Sequence, residues 1–315
     1  MDSANHSTDK NSWKGRYLVL LAALLWSSSG FFAKAPWLLD WPIRERGVVL
    51  AFWRALAAGC ALVPFVRRPR WSWALLPACF SFALMNAAFL LAMTQAGESV
   101  ALWLQYTSPL WVYLVGVGFG GEPSNRRDAW MIGWILLGIA IILGSQLFDA
   151  SGNSHQGMGA IWGLVSGLSL AGVVLSLRRL RGEDSAWVIA VCHFSAAAMV
   201  APFVATGVRF PSTPQLVWLS FFGVLQMAVP YLLFVRGLRH IPAHEASCLA
   251  LLEPLLVSLW VYLAWGHLDD YRPPTILTLL GGAAILTGLL YRYVPPRHGA
   301  SGPKGSTGAK SLGPW

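Results

Sequence analysis

Charge is what this sequence has least of. Asp, Glu, Lys and Arg make up 12% of its 315 residues, about half the share of an average soluble domain. A soluble fold of this length would lack the polar side chains to cover its surface, whereas a bilayer removes that demand. Cysteine is scarce too: Cys60, Cys79, Cys192 and Cys248 lie inside apolar runs and none forms a C-x-x-C. They read as small core hydrophobes, with no disulfide framework and no zinc site. Catalytic signatures are missing. There is no G-x-S-x-G and no P-loop, His244-Glu245 is not H-E-x-x-H, and Pro242 separates His240 from His244. Intramembrane catalysis wants clustered carboxylates and histidines, so no catalytic residue, cofactor or metal is expected.

What is present is hydrophobic length. Hydrophobic residues make up 56% of the chain and mean hydropathy is +0.54. A spanning helix needs about 20 mostly apolar residues. Ten such runs appear, at about 17–35, 47–66, 73–93, 100–120, 129–147, 158–177, 186–206, 215–235, 246–265 and 275–293. Turn formers or charges mark the joints, among them Arg67-Arg68-Pro69-Arg70, Gly97-Glu98, Glu122-Pro123 and Pro211 to Pro214. The last residues, 294–315, are rich in Gly, Ser, Pro and Lys and read as a disordered tail. The fold expected is an all-α integral membrane protein of ten transmembrane helices.

The net charge of +9 forms no basic stripe of the kind that binds nucleic acid, so the expected partners are the lipid bilayer and a small solute. The basic residues instead alternate between exposed segments. One set holds Lys10, Lys14, Arg16; Arg67, Arg68, Arg70; Arg126, Arg127; Arg178, Arg179, Arg181; Arg236, Arg239; and Arg292, Arg297, Lys304, Lys310. The other holds only Lys34, Arg44, Arg46, Arg209 and Arg272. Seventeen against five, in strict alternation, predicts cytoplasmic N- and C-termini. Ala33-Lys34-Ala35 has the look of a signal-peptide cleavage site, but Pro36 follows directly and the run is long, so the first span is expected to stay.

Sliding the second half over the first by 145 residues aligns Phe89 with Phe234, Ala101 with Ala246, Leu104 with Leu249, Pro109-Leu110 with Pro254-Leu255, and Val112 with Val257. Asn86 then falls opposite Tyr231. The division predicted is a cytoplasmic N-terminus (1–16), a first five-helix repeat (17–147), a second (158–293) and the cytoplasmic tail (294–315). Five is odd, so the two repeats must be inverted, the arrangement of many secondary transporters, which bind solute near the midplane between repeats.

Three stretches resemble EamA-type members of the drug/metabolite transporter superfamily, a likeness that covers residues 15–293. They are Ala23-Leu24-Leu25-Trp26-Ser27-Ser28-Ser29-Gly30-Phe31-Phe32-Ala33-Lys34, Phe52-Trp53-Arg54-Ala55, and the pair of proline helices from Gln105-Tyr106-Thr107-Ser108-Pro109 to Gly121-Glu122 and from Leu252-Glu253-Pro254 to Gly266-His267. His267 departs from the family pattern, which has Glu there. The resemblance implies two five-helix bundles around a central cavity, a multi-pass protein of the bacterial inner membrane, and export of amino acids or related small metabolites. A drug or toxic-compound efflux carrier and a non-transporting accessory or scaffold protein are the alternatives. A monomer is expected.

Candidate site residues are the polar and aromatic groups inside spans, which should face the bundle interior. Trp26, Ser27, Asn86, Gln105, Tyr106, Trp162, Gln226, Tyr231 and Glu253 are the candidates for solute contact. Glu253 stands alone as a carboxylate deep in a span, a costly placement that marks function by default. Glu253, Arg54 and His193 are the candidates for ion coupling, although the preferred reading of Arg54 is structural, pairing with helix C-terminal carbonyls or snorkelling outwards, and that of His193 is a hydrogen-bonding core role. Pro109 and Pro254 are candidate hinges.

Overall fold

The computed structural model describes residues 2–120, 126–147, 154–180, 182–206, 208–238, 240–241, 246, 249–268, 271 and 273–293. These are helices and turns, with no strand among them. The predicted tail at 294–315 and the Gly121-Glu122 and His244-Glu245 pairs lie outside the described residues.

Helices bounded within the described residues are α1 (Asp2–Trp26), α2 (Ser29–Ala33), α3 (Ile43–Leu62), α4 (Leu75–Ala96), α5 (Glu98–Gln105), α6 (Ser108–Gly120), α7 (Arg126–Leu147), α8 (Ser154–Arg179), α9 (Ser185–Ala205), α10 (Thr213–Gly223), α11 (Val229–Gly237), α12 (Leu252–Trp265) and α13 (Ile276–Tyr293). Among the described residues, seven helical stretches are long and apolar enough to cross a membrane, and Leu252–Trp265 and Ile276–Arg292 are shorter apolar helices. Leucines and aromatics such as Leu137, Leu168, Phe221, Leu263 and Leu280 face outward, as an apolar solvent permits. α1 begins well before the predicted first span, so residues 2–16 continue its helix.

Several helices break where the sequence supplies a competitor for backbone hydrogen bonds. α1 stops at Trp26, and the Ser27 and Ser28 hydroxyls donate back to the Leu24 and Leu25 carbonyls at 2.7 and 2.6 Å. α4 gives way to α5 at Gly97, whose φ of 96° is open to glycine at little cost. α5 gives way to α6 at Tyr106–Thr107, where the Thr107 hydroxyl donates to the Leu104 carbonyl at 2.6 Å. Pro109 then sits in the first turn of α6, where a missing N–H leaves nothing unpaired. Leu251 makes the corresponding turn before α12, with Pro254 again in the first turn. The prolines therefore begin the second helix of each pair, and the break precedes them.

α10 and α11 are joined by a π-helical turn, Val224–Ala228. The joined stretch Thr213–Gly237 behaves as one apolar passage of 25 residues.

Packing pairs α4 with α8, α3 with α9, α1 with α11 and α7 with α13. Each pair runs antiparallel. Gly159 and Gly172 of α8 meet Ala96 and Ser81 of α4, and Gly281 and Gly288 of α13 meet Gly138 and Met131 of α7. Gly163 and Gly167 let α8 close onto Leu104 and Thr107, the small-residue seam of membrane helix packing. Trp41 is buried, its indole donating to the Arg209 carbonyl at 3.0 Å. The sequence reading of the cysteines changes in part. Cys60 is exposed on the outer surface, whereas Cys79 and Cys192 are buried with their sulfurs 4.0 Å apart.

Candidate functional site

Arg54 lies in the middle of α3, 1% exposed. It does not snorkel. Its guanidinium is caught between two amides from opposite halves of the chain. Nη1 donates to Gln226 Oε1 at 3.1 Å and Nη2 to Asn86 Oδ1. Each amide is aimed by its own nitrogen: Asn86 Nδ2 donates to the Ala51 carbonyl at 3.0 Å, and Gln226 Nε2 to the Trp26 carbonyl at 3.3 Å. The Trp26 carbonyl is accessible because α1 ends there. Gln226 is presented by the π-helical turn, a local widening frequent at functional sites. The rings of Phe222 and Phe89 lie 5.1 and 5.9 Å from the guanidinium carbon. Arg54 Nε has no hydrogen-bond partner, and no carboxylate pairs with Arg54 among the described residues. Placing an arginine at mid-membrane costs roughly 3 kcal/mol on insertion scales, so two amide acceptors and two rings leave it short of a counter-charge.

Glu253 lies in the first turn of α12. The Tyr106 hydroxyl stands 3.0 Å from its Oε2 and 2.8 Å from the Ala250 carbonyl oxygen. A phenol has one proton to donate and here faces two acceptors. When Glu253 is ionised, one acceptor goes without. When Glu253 carries a proton, its O–H can donate to the phenol oxygen while the phenol donates to Ala250, so both contacts are made at once. Both Tyr106 and Glu253 keep part of their surface accessible, unlike Arg54, Asn86 and Gln226.

The other candidates are distributed around these two groups. Trp26 stacks edge-on against Tyr231 with centroids 5.3 Å apart. Ser27 accepts from the Trp260 indole at 2.8 Å. Gln105 turns away from Tyr106 and donates to Ser166 at 2.8 Å. Trp162 is half-buried beside Tyr106 in one apolar cluster. Asn86 and Tyr231, which a 145-residue offset sets opposite each other, make different contacts: Asn86 serves Arg54, and Tyr231 packs among Trp26, Phe82 and His193. His193 is buried edge-on to Phe82 at 4.7 Å, with neither ring nitrogen hydrogen-bonded, so it is not the satisfied partner its sequence position suggested.

Sequence reasoning missed an aromatic closure at one end of the bundle. Trp265 and Trp218 donate to the carbonyls of Phe31 and Phe32 at 2.9 and 3.0 Å, and Trp37 meets both indoles edge-on. Lys34 pairs with Glu98 at 3.4 Å at the same end.

Comparison with known proteins follows the same lines. An "uncharacterized transporter" of Archaeoglobus fulgidus is 29% identical over 218 residues, covering 69% of this chain and 74% of that one. The "uncharacterized transporter YwfM" of Bacillus subtilis is 27% identical over 293 residues, covering 89% and 93%. A solved crystal structure superposes with a TM-score of 0.56 at 17% identity, covering 88% of this chain and 95% of that one, which shows likeness of fold alone. The EamA-like transporter family profile matches twice, at residues 13–144 and 157–293. The chain therefore belongs to the EamA-like transporter family, and it is a multi-pass membrane protein with a transport role.

Proposed function

We propose that this protein is a secondary carrier that exports amino acids or related carboxylate-bearing metabolites through alternating access across ten crossings arranged as two inverted five-helix repeats.

 The observation that carries the reading is the pairing of an uncompensated guanidinium at Arg54 with a carboxyl group at Glu253 whose hydrogen bonds close only when it holds a proton. A solute carboxylate would supply Arg54 with the counter-charge it lacks, and Glu253 would exchange a proton or meet the solute's amine.

The architecture supports the same reading. The turn at Tyr106 and the turn at Leu251 are 145 residues apart, the offset of the sequence repeat. The antiparallel pair α4–α8 is matched by α1–α11, as an exchange of equivalent helices between inverted repeats requires. The aromatic closure, together with Lys34–Glu98, lies at the end poor in basic residues, which the positive-inside rule assigns to the outside. The conformation is then closed outward, one of the two end states of alternating access.

The test is Glu253→Gln in proteoliposomes loaded with labelled amino acids. Wild-type efflux is expected to respond to a pH gradient, and the variant to lose that response while remaining folded. A variant that responds to the gradient as wild type does would sink the proton role. Efflux no faster than from empty liposomes would sink the carrier reading for these solutes.

A further inference from the structure

At the basic end of the bundle a cavity of about 520 Å³ opens where the α3–α4 connection, the start of α9 and the end of α11 meet. Arg67, Arg68, Arg70 and Arg236 line it, with Phe65 and Leu232 on the apolar side. None of the four guanidiniums pairs with a carboxylate among the described residues. Two acids, Glu183 and Asp184, share the lining with the four arginines, and Asp184 is occupied by backbone: it accepts the N–H groups of Arg67, Arg68 and Ala186 at 2.6, 2.9 and 3.0 Å. Its carboxylate thus holds the connection against α9 and leaves the arginine side chains free. Trp187 ties the same connection down by donating to the Arg70 carbonyl at 2.7 Å. The cavity therefore has an arginine-rich wall, held to α9 through Asp184 and Trp187, and an apolar wall. Trp71 and Trp73, which follow Arg70 closely in the chain and are 62% and 79% exposed, mark the level where tryptophans meet lipid headgroups.

We propose that this cavity binds the phosphate headgroup of an anionic phospholipid, with Arg67, Arg68, Arg70 and Arg236 around the phosphate and the first acyl carbons against Phe65 and Leu232. Phosphate is the anion that guanidinium forks match, and basic pockets between membrane helices on the cytoplasmic side select such headgroups. The apolar wall favours a lipid over free phosphate, which has no use for it. Bound lipid would bridge α3, α9 and α11, helices that come from both halves of the chain.

The full-length protein in neutral detergent would be titrated with phosphatidylglycerol, with phosphatidylcholine and with inorganic phosphate. Bound lipid would be counted by native mass spectrometry and stability followed by thermal unfolding. Phosphatidylglycerol is expected to saturate and to raise the unfolding midpoint, and phosphatidylcholine to do neither. Replacing Arg67, Arg68 and Arg236 together by Gln should weaken phosphatidylglycerol binding by roughly 5-fold for each charge removed. An equal charge loss elsewhere, with Lys14, Arg126 and Arg179 as Gln, should leave it within about 2-fold. Equal retention of phosphatidylglycerol and phosphatidylcholine, or equal weakening in the two variants, would overturn the site. An equal response to inorganic phosphate would overturn the lipid assignment.

Discussion

Arg54 and Gln226 are 172 residues apart in sequence and meet at 3.1 Å in the middle of the bundle. The bond joins a helix of the first half to the π-helical turn of the second. Any motion of one half against the other must therefore keep, break or replace it, and a solute carboxylate is a suitable replacement.

Arg54→Lys tests the fork rather than the charge. An ammonium reaches one acceptor well and cannot present two parallel donors. Loss of one charge-assisted hydrogen bond, worth about 1.5–3 kcal/mol, predicts a fall in transport rate of roughly 10- to 100-fold. Initial efflux rates from proteoliposomes, normalised to folded protein by size-exclusion chromatography, would check this.

Tyr106→Phe removes the donor shared by Glu253 and Ala250. Transport is expected to survive at a reduced rate, with the pH midpoint of efflux displaced from that of wild type. Flux measured from pH 5 to 9 reads the displacement. An unchanged midpoint would detach Tyr106 from the titrating group.

Gly223→Val tests the closeness of α3 and α10. A Cβ at Gly223 would press on the Arg54 carbonyl oxygen and stand 2.8 Å from Ala57 Cβ, contacts that force the helices apart. Overpacking of this kind costs about 1–3 kcal/mol. The variant should unfold at lower temperature and also lose transport, because the helix that moves carries Arg54.

Asp184→Ala removes both an N-cap and the acceptor that holds Arg67 and Arg68. Loss of a cap costs about 1 kcal/mol. Partial burial works against the charged carboxyl, but four backbone N–H donors, from Arg67, Arg68, Ala186 and Trp187, hold it below the ordinary aspartate range. A depressed value means that the stabilisation is complete above about pH 4 and fades as pH falls through the folded-state value. The difference in thermal midpoint between wild type and variant is therefore expected to be full at pH 7 and to shrink below pH 4.

Much of the fold was legible because a bilayer imposes a simple rule. Apolar runs long enough to cross had to be helices, and Gly97 and the Arg67–Arg70 cluster punctuated them. The helix breaks were less legible. Pro109 and Pro254 drew attention to themselves, yet the turns fall at Tyr106 and Leu251, set by hydroxyl competition and packing that no single residue announces. Among the site candidates, the isolation of Glu253 and the depth of Arg54 could be read from position. That Asn86 and Gln226 both turn their amide oxygens to Arg54 could not, because a contact over 172 residues leaves no periodic trace. The π-helical turn that presents Gln226 is equally silent, since Val224–Ala228 has the composition of any apolar helix.

The indoles of Trp218 and Trp265 bond to Phe32 and Phe31, whose carbonyls belong to the last turn of α2 and have no helical partner of their own. Those oxygens need a donor in every state the protein visits. If the aromatic cluster parts, water must arrive as it opens, or the carbonyls stand bare in an apolar setting at a cost of a few kcal/mol. Opening at that end is thus a hydration event as much as a movement of helices. Water activity becomes a control variable: osmolytes too large to enter should lengthen the closed dwell, and a hydrogen-bonding side chain placed beside Phe31 should shorten it.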